Sequence, residues 1–361
     1  MLGDFGADVV KVEPPGGDAM RFMGVRRNGH SLMWALVSRN KRSVVVDTDT
    51  DDGISQLHQL TMVADVVVIN QPRGLLERWG VTPEEIAGRN SRAVVVSISC
   101  FGETGPRAGT PGAGTLAEAF GGLTGLTGEP DGPPVLPSFP LGDTLVAMAG
   151  VIGTLLACYH RDAGGGSGQH VDVSMYEPIL TLIGPSVAAW APGTPSPART
   201  GSRVTGGVPR NVYRSGDGLW MVLSGTTDAQ VARILRVIGH DTPEDHVRFG
   251  RSADRLAVAD ELDGMVAEWI ARHDRHRVLS VFEEARVPVA PVNDLAALAA
   301  DAQVQARGSL TELHDDDLGT VVLPSPAARL GSTPGRLRTT GPRLGQHTAE
   351  VLAEWLGDRA G

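Results

Sequence analysis

Short valine-rich runs alternate with helix-like segments through the first half of this chain, and this alternation is what most limits its possible folds. The runs are Asp8–Glu13, Ser43–Asp47, Ala64–Asn70, Arg92–Cys100 and Gln169–Ser174. Strands that alternate with helices at this spacing predict a doubly wound α/β fold with a parallel sheet. Ligands bind such sheets at the carboxyl ends of their strands. Here those ends are Asp47, Asn70 and Ser99–Phe101.

Helix signals lie between these runs. Asp51–Met62 has helical spacing of its apolar residues, and Gly74–Gly80 is predicted to be a short helix. Thr82-Pro-Glu-Glu85 has the form of a capping box, with threonine at the cap, proline at the first helical position and glutamate at the third. A helix is therefore expected to begin there. The apolar segment Tyr176–Trp190 is predicted to be one further helix.

The chain has 361 residues, which is more than one domain usually holds, so two domains are expected. Residues 191–205 are rich in Pro, Gly, Ser and Thr and are predicted to be a linker. We therefore expect a large domain at 1–190, a small α/β domain at 206–298 and a C-terminal stretch at 299–361. The small domain should contain a hairpin that turns at Gly216-Asp-Gly218, followed by helices at Thr227–Ile238, Arg255–Ala271 and Asp274–Ala285.

Charge and composition exclude several classes of partner. The net charge is -10 and only 4% of residues are aromatic, so the chain lacks the basic, aromatic surface that nucleic acids need. Two cysteines, Cys100 and Cys158, both in apolar surroundings, indicate a reducing, cytoplasmic compartment. The ten histidines form no zinc-binding spacing, and we expect no metal and no membrane partner.

One carboxylate stands at the start of a long apolar run. Asp143 ends the segment Leu136–Asp143, and Thr144–Tyr159 follows, a run judged too short to cross a membrane and of the length of a buried helix. Asp143 is therefore predicted to be the N-cap of that helix. Two interpretations stay open. The aspartate only caps the helix, or it is a nucleophile whose charge the helix dipole stabilises.

Several stretches, in order from residue 1 to about residue 355, resemble the class III coenzyme A transferases (CaiB/BaiF-type, formyl-CoA transferase-like), a family that also includes acyl-CoA racemases. The matching stretches are Gly6–Glu13, Asn40–Ser43, Asn70–Gly80, Gly102–Pro106, Gly142-Asp143, Gly168–Met175, Pro209–Gly218, Pro288–Asn293 and Leu344–Thr348.

The resemblance implies a Rossmann-like large domain, a small domain and a C-terminal stretch that returns to the large one. It also implies a homodimer of two interlocked chains that acts on an acyl-CoA and a small carboxylic acid. In that chemistry Asp143 is the catalytic nucleophile, which forms first a mixed anhydride and then an aspartyl-CoA thioester. Gly121, Gly122 and Gly142 are candidates for oxyanion-binding amides.

For coenzyme A itself, the resemblance places Asn70, Gln71, Arg78 and Trp79 near the nucleotide half and Val46 beside the adenine. Arg78 can bind a phosphate, and Trp79 can cover an adenine or pantetheine face. The alternatives are that Arg78 is a solvated surface charge and that Trp79 is a helix residue packed on the sheet.

The chain also departs from the family. The family has a strand ahead of what is Met1 here, so the sheet is expected to lack its first strand and to expose a seam. Racemases have a histidine at the position of Ala113 and a carboxylate near Thr227, and neither group is present. Without these proton-transfer groups a transferase is favoured over a racemase or epimerase. A catalytically impaired CoA-binding paralogue or subunit is the other alternative, to which Gly114, at a position where the family often has a carboxylate, gives weight.

Overall fold

The computed structural model describes residues 1–204 and 206–357. The strands are, in chain order, β1 (Val9–Glu13), β2 (Arg26–Arg27), β3 (His30–Ser31), β4 (Lys41–Val45), β5 (Val66–Ile69), β6 (Val94–Ser99), β7 (His170–Ser174), β8 (Arg210–Arg214), β9 (Trp220–Ser224), β10 (Val289–Pro291), β11 (Leu310–Asp315) and β12 (Gly319–Pro324).

The α-helices are, in chain order, α1 (Leu32–Val37), α2 (Asp51–Val63), α3 (Arg73–Trp79), α4 (Pro83–Arg89), α5 (Gly114–Phe120), α6 (Leu123–Leu126), α7 (Leu141–Ala163), α8 (Glu177–Leu182), α9 (Gly184–Ala189), α10 (Asp228–Ile238), α11 (Pro243–Phe249), α12 (Ser252–Ala257), α13 (Ala259–Ala271), α14 (Arg275–Glu284), α15 (Leu295–Ala300), α16 (Ala302–Ala306) and α17 (Thr348–Leu356). Short 3₁₀ helices lie at Leu2–Phe5 and Ala19–Phe22.

The chain divides into two compact units. The first unit comprises Met1–Gly121, Ser138–Leu182 and the chain from Ala299 onward, and the second comprises Gly122–Pro137 and Ile183–Leu298. These boundaries differ from those predicted. The chain passes from the first unit to the second after Leu182 and not after residue 190. In addition, Gly122–Pro137 belongs to the second unit.

Parallel strands form the centre of the first unit, so the predicted α/β class is confirmed. β5, β6 and β7 pair in that order, with Val67 opposite Val95 and Val96 opposite Val171. β1 pairs in parallel with β4. Among the described residues these pairings form two separate sheets, because no ladder joins β1 or β4 to the other three strands.

Helices cover both faces of the β5–β6–β7 sheet because side chains along a strand alternate between its faces. Val94 and Val96 of β6 form one buried cluster with Ala157 of α7. Val95 forms another cluster with Leu76 and Ile86, which come from α3 and α4. As predicted, α4 begins with a complete capping box at Thr82. Burial on both faces explains the run of three valines, Val94–Val96, at the start of β6.

The long apolar helix α7 differs from prediction in two ways. It has 23 residues and is, by length and composition alone, long enough to cross a membrane. The predicted apolar run, Thr144–Tyr159, is shorter than this helix and too short to cross one. Gly142, Val146, Gly150, Thr154 and Ala157 are buried inside the first unit. Such partly buried, apolar helices also occur in the cores of soluble proteins. The N-cap is Pro140, so Asp143 is not the cap but the third residue of the helix.

The C-terminal stretch packs within the first unit. Val351 and Leu356 of α17 join Val44, Val46 and Leu60 in one hydrophobic cluster. Two hydrogen bonds fix the approach of α17 to β4: the Val45 amide donates to Thr348 Oγ1 at 3.0 Å, and the His347 amide donates to the Ser43 carbonyl at 3.0 Å.

The second unit is built on an antiparallel sheet in the order β10–β9–β8, and its β8–β9 hairpin lies where the sequence predicted it. Its core includes Met221, Ile234, Phe249 and Leu262. The guanidinium of Arg255 is fully buried, and a buried charge is stable only when its donors are satisfied. It donates to the carbonyl oxygens of Val208, Thr226, Phe249 and Gly250.

The chain enters the second unit where a predicted helix breaks. The segment Tyr176–Trp190 forms α8 and α9 instead of one helix, and Ile183 lies between them. Pro185 lacks an amide hydrogen, so it fits the first turn of α9 but not a continuous helix. The predicted linker at 191–205 lies within the second unit as far as it is described, and Thr205 lies outside the described residues.

The segment 122–137, which contains α6, belongs to the second unit because hydrogen bonds to its backbone hold it there. Arg199 donates to the carbonyl oxygens of Glu129 and Gly132, and the Gly201 amide donates to the Gly128 carbonyl at 3.1 Å. These partners are about 70 residues apart in sequence. No local signal in the sequence reveals such an arrangement.

Candidate active site

Asp143 lies in the first turn of α7 with its side chain exposed. Among the described residues no hydrogen bond or ion pair reaches its carboxylate. A negative charge is favoured in this position because the backbone N–H groups of the first turn point toward it. Asp143 is thus an exposed carboxylate at a helix N-terminus, without a partner in the part of the chain that the structure describes.

Two glycines let α5 and α7 meet beside Asp143. A Cβ atom on Gly114, the first residue of α5, would lie 2.7 Å from Asp143 Cγ and closer still to Oδ2. A Cβ on Gly142 would lie 2.7 Å from the Gly114 carbonyl oxygen. Real Cβ atoms essentially never come within 3.0 Å of another heavy atom. The position of the Asp143 carboxylate therefore depends on glycine at both places.

Of the three glycine amides suggested for an oxyanion hole, those of Gly142 and Gly121 already donate hydrogen bonds within the protein. The Gly142 amide donates to Glu118 Oε1 at 2.8 Å, and the Gly121 amide donates to the Ala117 carbonyl at 2.7 Å inside α5. Gly122 belongs to the second unit, where it precedes α6 with a left-handed backbone at φ 89°. Neither the Gly142 nor the Gly121 amide is free to bind a developing oxyanion.

Cys100 is the second reactive group in this site. It is buried, and its thiol donates to the Ala113 carbonyl at 3.8 Å. Burial raises the pKa of the Cys100 thiol, and the nearby negative charge of Asp143 raises this pKa further. A thiol with a raised pKa remains protonated at neutral pH and is a poor nucleophile. Of these two groups, Cys100 is therefore the weaker candidate for a nucleophile.

A row of aromatic rings begins next to Cys100. The rings of Phe101 and Phe120 meet edge to face at 5.0 Å, and those of Phe120 and Tyr176 at 5.2 Å. The guanidinium carbon of Arg107 lies 5.3 Å from the Phe101 ring centre and 5.1 Å from the Phe120 ring centre. No acidic side chain among the described residues pairs with Arg107. A cation is thus held on two rings in the loop that leads to α5.

The residues predicted to bind coenzyme A divide into exposed and buried groups. Asn70 and Gln71 follow β5 directly and are exposed. Arg78 is 62% exposed, and its one acidic partner among the described residues is Asp49, whose Oδ1 lies at 3.4 Å. This contact brings together the segments after β4 and β5. A guanidinium that is exposed and weakly paired is free to bind a phosphate.

Trp79 and Val46 face the core instead. Trp79 is partly buried against the cluster of Leu76 and Ile86, which is the packed arrangement that stood as its alternative. Its indole nitrogen is buried and has no partner among the described residues. Val46 is only 1% exposed. Both side chains support the segments on which Arg78 and Asp49 lie, and Val46 is too buried to contact adenine.

The sequence interpretation missed Glu118 and Arg107. Glu118 follows Gly114 by four residues, which places both on one face of α5, so helical spacing could have indicated it. Arg107 contacts the rings of Phe101 and Phe120 only because the folded chain brings them together, so spacing along the sequence could not have indicated it.

At the two positions where racemases have their proton-transfer groups, Ala113 is the N-cap of α5, and Thr227 forms a capping box with Gln230. Neither position supplies a base. No cluster of three metal-binding side chains occurs among residues 1–204 and 206–357.

The structure places an exposed carboxylate, a candidate nucleophile, at a helix N-terminus of an α/β fold, and comparison with known proteins identifies the family. The model of CoA-transferase family III matches residues 1–348. The chain belongs to this family and is a CoA-transferase, which confirms the family and enzyme class expected from the sequence.

Characterised relatives carry related names. Succinyl-CoA–D-citramalate CoA-transferase from Chloroflexus aurantiacus is 34% identical over 99% of this chain and 89% of its own length. The beta subunit of succinyl-CoA–L-malate CoA-transferase from the same organism is 36% identical over the same shares. Succinate–glutarate CoA-transferase from Agrobacterium fabrum is 31% identical over 98% of this chain and 90% of its own. A CaiB/BaiF family protein from Brucella suis superposes with a TM-score of 0.84 at 28% identity, over 98% of this chain and 93% of that chain.

Proposed function

We propose that Asp143 carries coenzyme A between two carboxylic acids through covalent intermediates. The observation that carries this proposal is an exposed carboxylate in the first turn of α7, beside the junction of Gly114 and Gly142, that no other described residue contacts by a hydrogen bond or ion pair. A carboxylate nucleophile divides a difficult exchange into easier steps because each intermediate is an activated acyl group.

The bonds change in four steps. An Asp143 oxygen attacks the thioester carbonyl carbon, the C–S bond breaks, and coenzyme A leaves as a thiolate, which gives a mixed anhydride. The thiolate then attacks the Asp143 carbonyl carbon and releases the first acid as a carboxylate. An oxygen of the incoming acid attacks this aspartyl thioester and expels the thiolate again. The thiolate finally attacks the acyl carbonyl of the new acid, which releases Asp143 and the product thioester.

The surroundings of Asp143 fit these requirements. The helix N-terminus stabilises each carboxylate that is released beside it. Cys100 stays protonated because burial raises the pKa of its thiol, so it does not compete for the acyl group. For coenzyme A, Asn70, Gln71 and Arg78 would contact the phosphates, while Val46 and Trp79 hold their segments in place. The two free cysteines are consistent with a cytoplasmic enzyme.

An exchange assay tests the activity. The purified protein is incubated with succinyl-CoA and one acid at a time, and the CoA thioesters are separated by chromatography. A new thioester with stoichiometric loss of succinyl-CoA supports transfer, whereas release of free coenzyme A alone contradicts it. The same assay in heavy water examines racemisation. Because Ala113 and Thr227 supply no base, no deuterium should enter the α-carbon.

We further propose that both acids are dicarboxylic. The names of several relatives contain two dicarboxylic acids: succinate with citramalate, malate or glutarate. A dicarboxylate has a second charged end, which needs a cation to bind it. Arg107 meets this need, since its guanidinium rests on Phe101 and Phe120 and no acidic side chain among the described residues neutralises it.

Arg107→Ala should therefore weaken the binding of dicarboxylic acids. A hydrogen bond to a charged group contributes about 1.5–3 kcal/mol, so KM for the acceptor should rise roughly 10- to 100-fold with a smaller change in kcat. Steady-state kinetics with succinyl-CoA as donor and, as acceptor, either glutarate or a monocarboxylic acid such as butyrate measure this. Arg277→Ala, an exposed arginine of the second unit, is the matched control. Equal losses of activity with glutarate and butyrate would show that Arg107 does not bind the distal carboxylate of the acceptor.

The outer stripe of α7 supports assembly into a dimer. Met148, Ile152, Leu155, Leu156 and Tyr159 recur at helical spacing and are 47–73% exposed in the single chain. A contiguous apolar surface of this kind marks an interaction site. We propose that a second copy of the chain covers it, in the interlocked arrangement that the family resemblance implies. Relatives named as alpha and beta subunits make a different second chain the competing possibility.

The purified protein should thus have about twice the 37.9 kDa mass of one chain by light scattering. Leu156→Glu should shift this mass toward that of the monomer, because the interface would then bury an unpaired charge. Val247→Glu, at an 81% exposed valine of α11, should leave the mass unchanged. A wild-type protein that is monomeric, or that transfers coenzyme A only after a second chain is added, would refute the homodimer.

A further inference from the structure

Glu118 is a buried carboxylate next to the candidate nucleophile, and the proposed mechanism does not use it. It is 2% exposed, and its Oε1 accepts a hydrogen bond from the Gly142 amide at 2.8 Å. Glu118 belongs to α5, whereas Gly142 is the second residue of α7. One helix thus supplies an acceptor to the first turn of another.

The first turn of α7 needs such an acceptor. The first four amides of a helix have no partner within the helix, and the N-cap residue normally accepts from one of them. In α7 the N-cap is Pro140, which has no acceptor in its side chain. A capping box cannot form here, because in that motif the acid at the third helical position accepts from the N-cap amide, and proline has no amide hydrogen. Glu118 instead satisfies the Gly142 amide of the first turn from outside the helix, and the Asp143 carboxylate has no hydrogen-bond partner among the described residues.

We propose that Glu118 is a positioning residue that caps α7 from α5 and thereby keeps Asp143 exposed and oriented for attack. This inference rests on the proposed role of Asp143. The hydrogen bond from Gly142 to Glu118 joins α5 and α7 near the place where Gly114 and Gly142 approach each other. Glu118 lies one helical turn beyond Gly114 on α5. The two contacts together fix the distance between the first turns of α5 and α7. A displacement of about 1 Å at a reacting group costs on the order of 100-fold in rate, so a single lost anchor should be measurable.

Two substitutions of similar size separate the acceptor from the charge. Glu118→Gln keeps a carbonyl oxygen that can accept from Gly142, whereas Glu118→Leu removes the acceptor. We expect kcat of the leucine variant to fall about 100-fold with KM within about threefold of wild type, and the glutamine variant to stay within about threefold in both. The decisive readout is the single-turnover rate at which the Asp143 adduct forms from succinyl-CoA, followed by mass spectrometry.

The outcomes distinguish this inference from the proposed function. If wild type forms no adduct at Asp143, the proposed function fails whatever the variants do. If wild type forms the adduct and Glu118→Leu forms it equally fast, Glu118 does not position Asp143. An equal fall in kcat in the glutamine and leucine variants would also overturn the inference, because catalysis would then depend on the charge of Glu118 and not on its hydrogen bond to Gly142. Should the leucine variant not fold, Glu118→Asp withdraws the acceptor by one methylene group and should show an intermediate loss of kcat.

Discussion

Asp143→Ala should reduce CoA transfer by on the order of 10⁴-fold or more while the protein remains folded. The substitution removes the only group proposed to bond covalently to substrate, and enzymes that lose their nucleophile show losses of this size. The fold should survive because Asp143 is exposed and no described residue is hydrogen-bonded to its carboxylate. The favourable effect of one first-turn acid on stability is only about 0.3–1 kcal/mol.

Asp52→Ala is the matched control for this variant. Asp52 is an exposed acid in the first turn of α2, so its loss has the same effect on a helix dipole but lies outside the site. Both variants are compared with wild type in the succinyl-CoA exchange assay and in thermal unfolding. If Asp143→Ala retains more than about a tenth of wild-type activity, Asp143 does not have the proposed role.

Gly114→Ala should be the next most damaging change. Alanine normally stabilises a helix by about 1 kcal/mol relative to glycine. Here the added Cβ would lie 2.7 Å from Asp143 Cγ, so the exposed carboxylate must turn away. We expect kcat to fall about 100-fold or more, because a small displacement of the reacting group is costly, and stability to change by less than about 3 kcal/mol.

Gly88→Ala provides the comparison for Gly114→Ala. Gly88 also lies within a helix of the first unit, and a Cβ there would meet no atom within 4 Å. Its kcat should equal that of wild type. Equal kcat values for the two alanine variants would show that the carboxylate position does not depend on Gly114. The same geometry makes any side chain at position 114 incompatible with Asp143 as it lies here.

The fold was predictable where its signals are local. Valine runs such as Arg92–Cys100 and the capping box at Thr82 correspond to β6 and α4. A second box of the same form, Thr242-Pro-Glu-Asp245, begins α11 and was overlooked. Arg255–Ala271 was predicted to be one helix, but it is divided between α12 and α13 at Val258, whose backbone is not helical.

The candidate site was only partly predictable because it is assembled by tertiary contacts. Asp143 was recognised from its place before an apolar run, but its exact helical position was not. The bond between Glu118 and Gly142 joins residues 24 positions apart, and the pairing of Arg107 with two rings depends on where the loop after β6 lies. Spacing within one element can indicate a shared face, but it cannot indicate which other element packs against that face.

Trapping the covalent intermediate tests the central proposal most directly. The protein is incubated with succinyl-CoA, quenched with hydroxylamine and digested, and the peptide that contains Asp143 is examined by tandem mass spectrometry. We predict a hydroxamate at Asp143 that disappears when an acceptor acid is added before the quench and that is absent in Asp143→Ala. An unmodified Asp143 in a protein that still transfers coenzyme A, or an acyl group on Cys100 instead, would contradict the proposed mechanism.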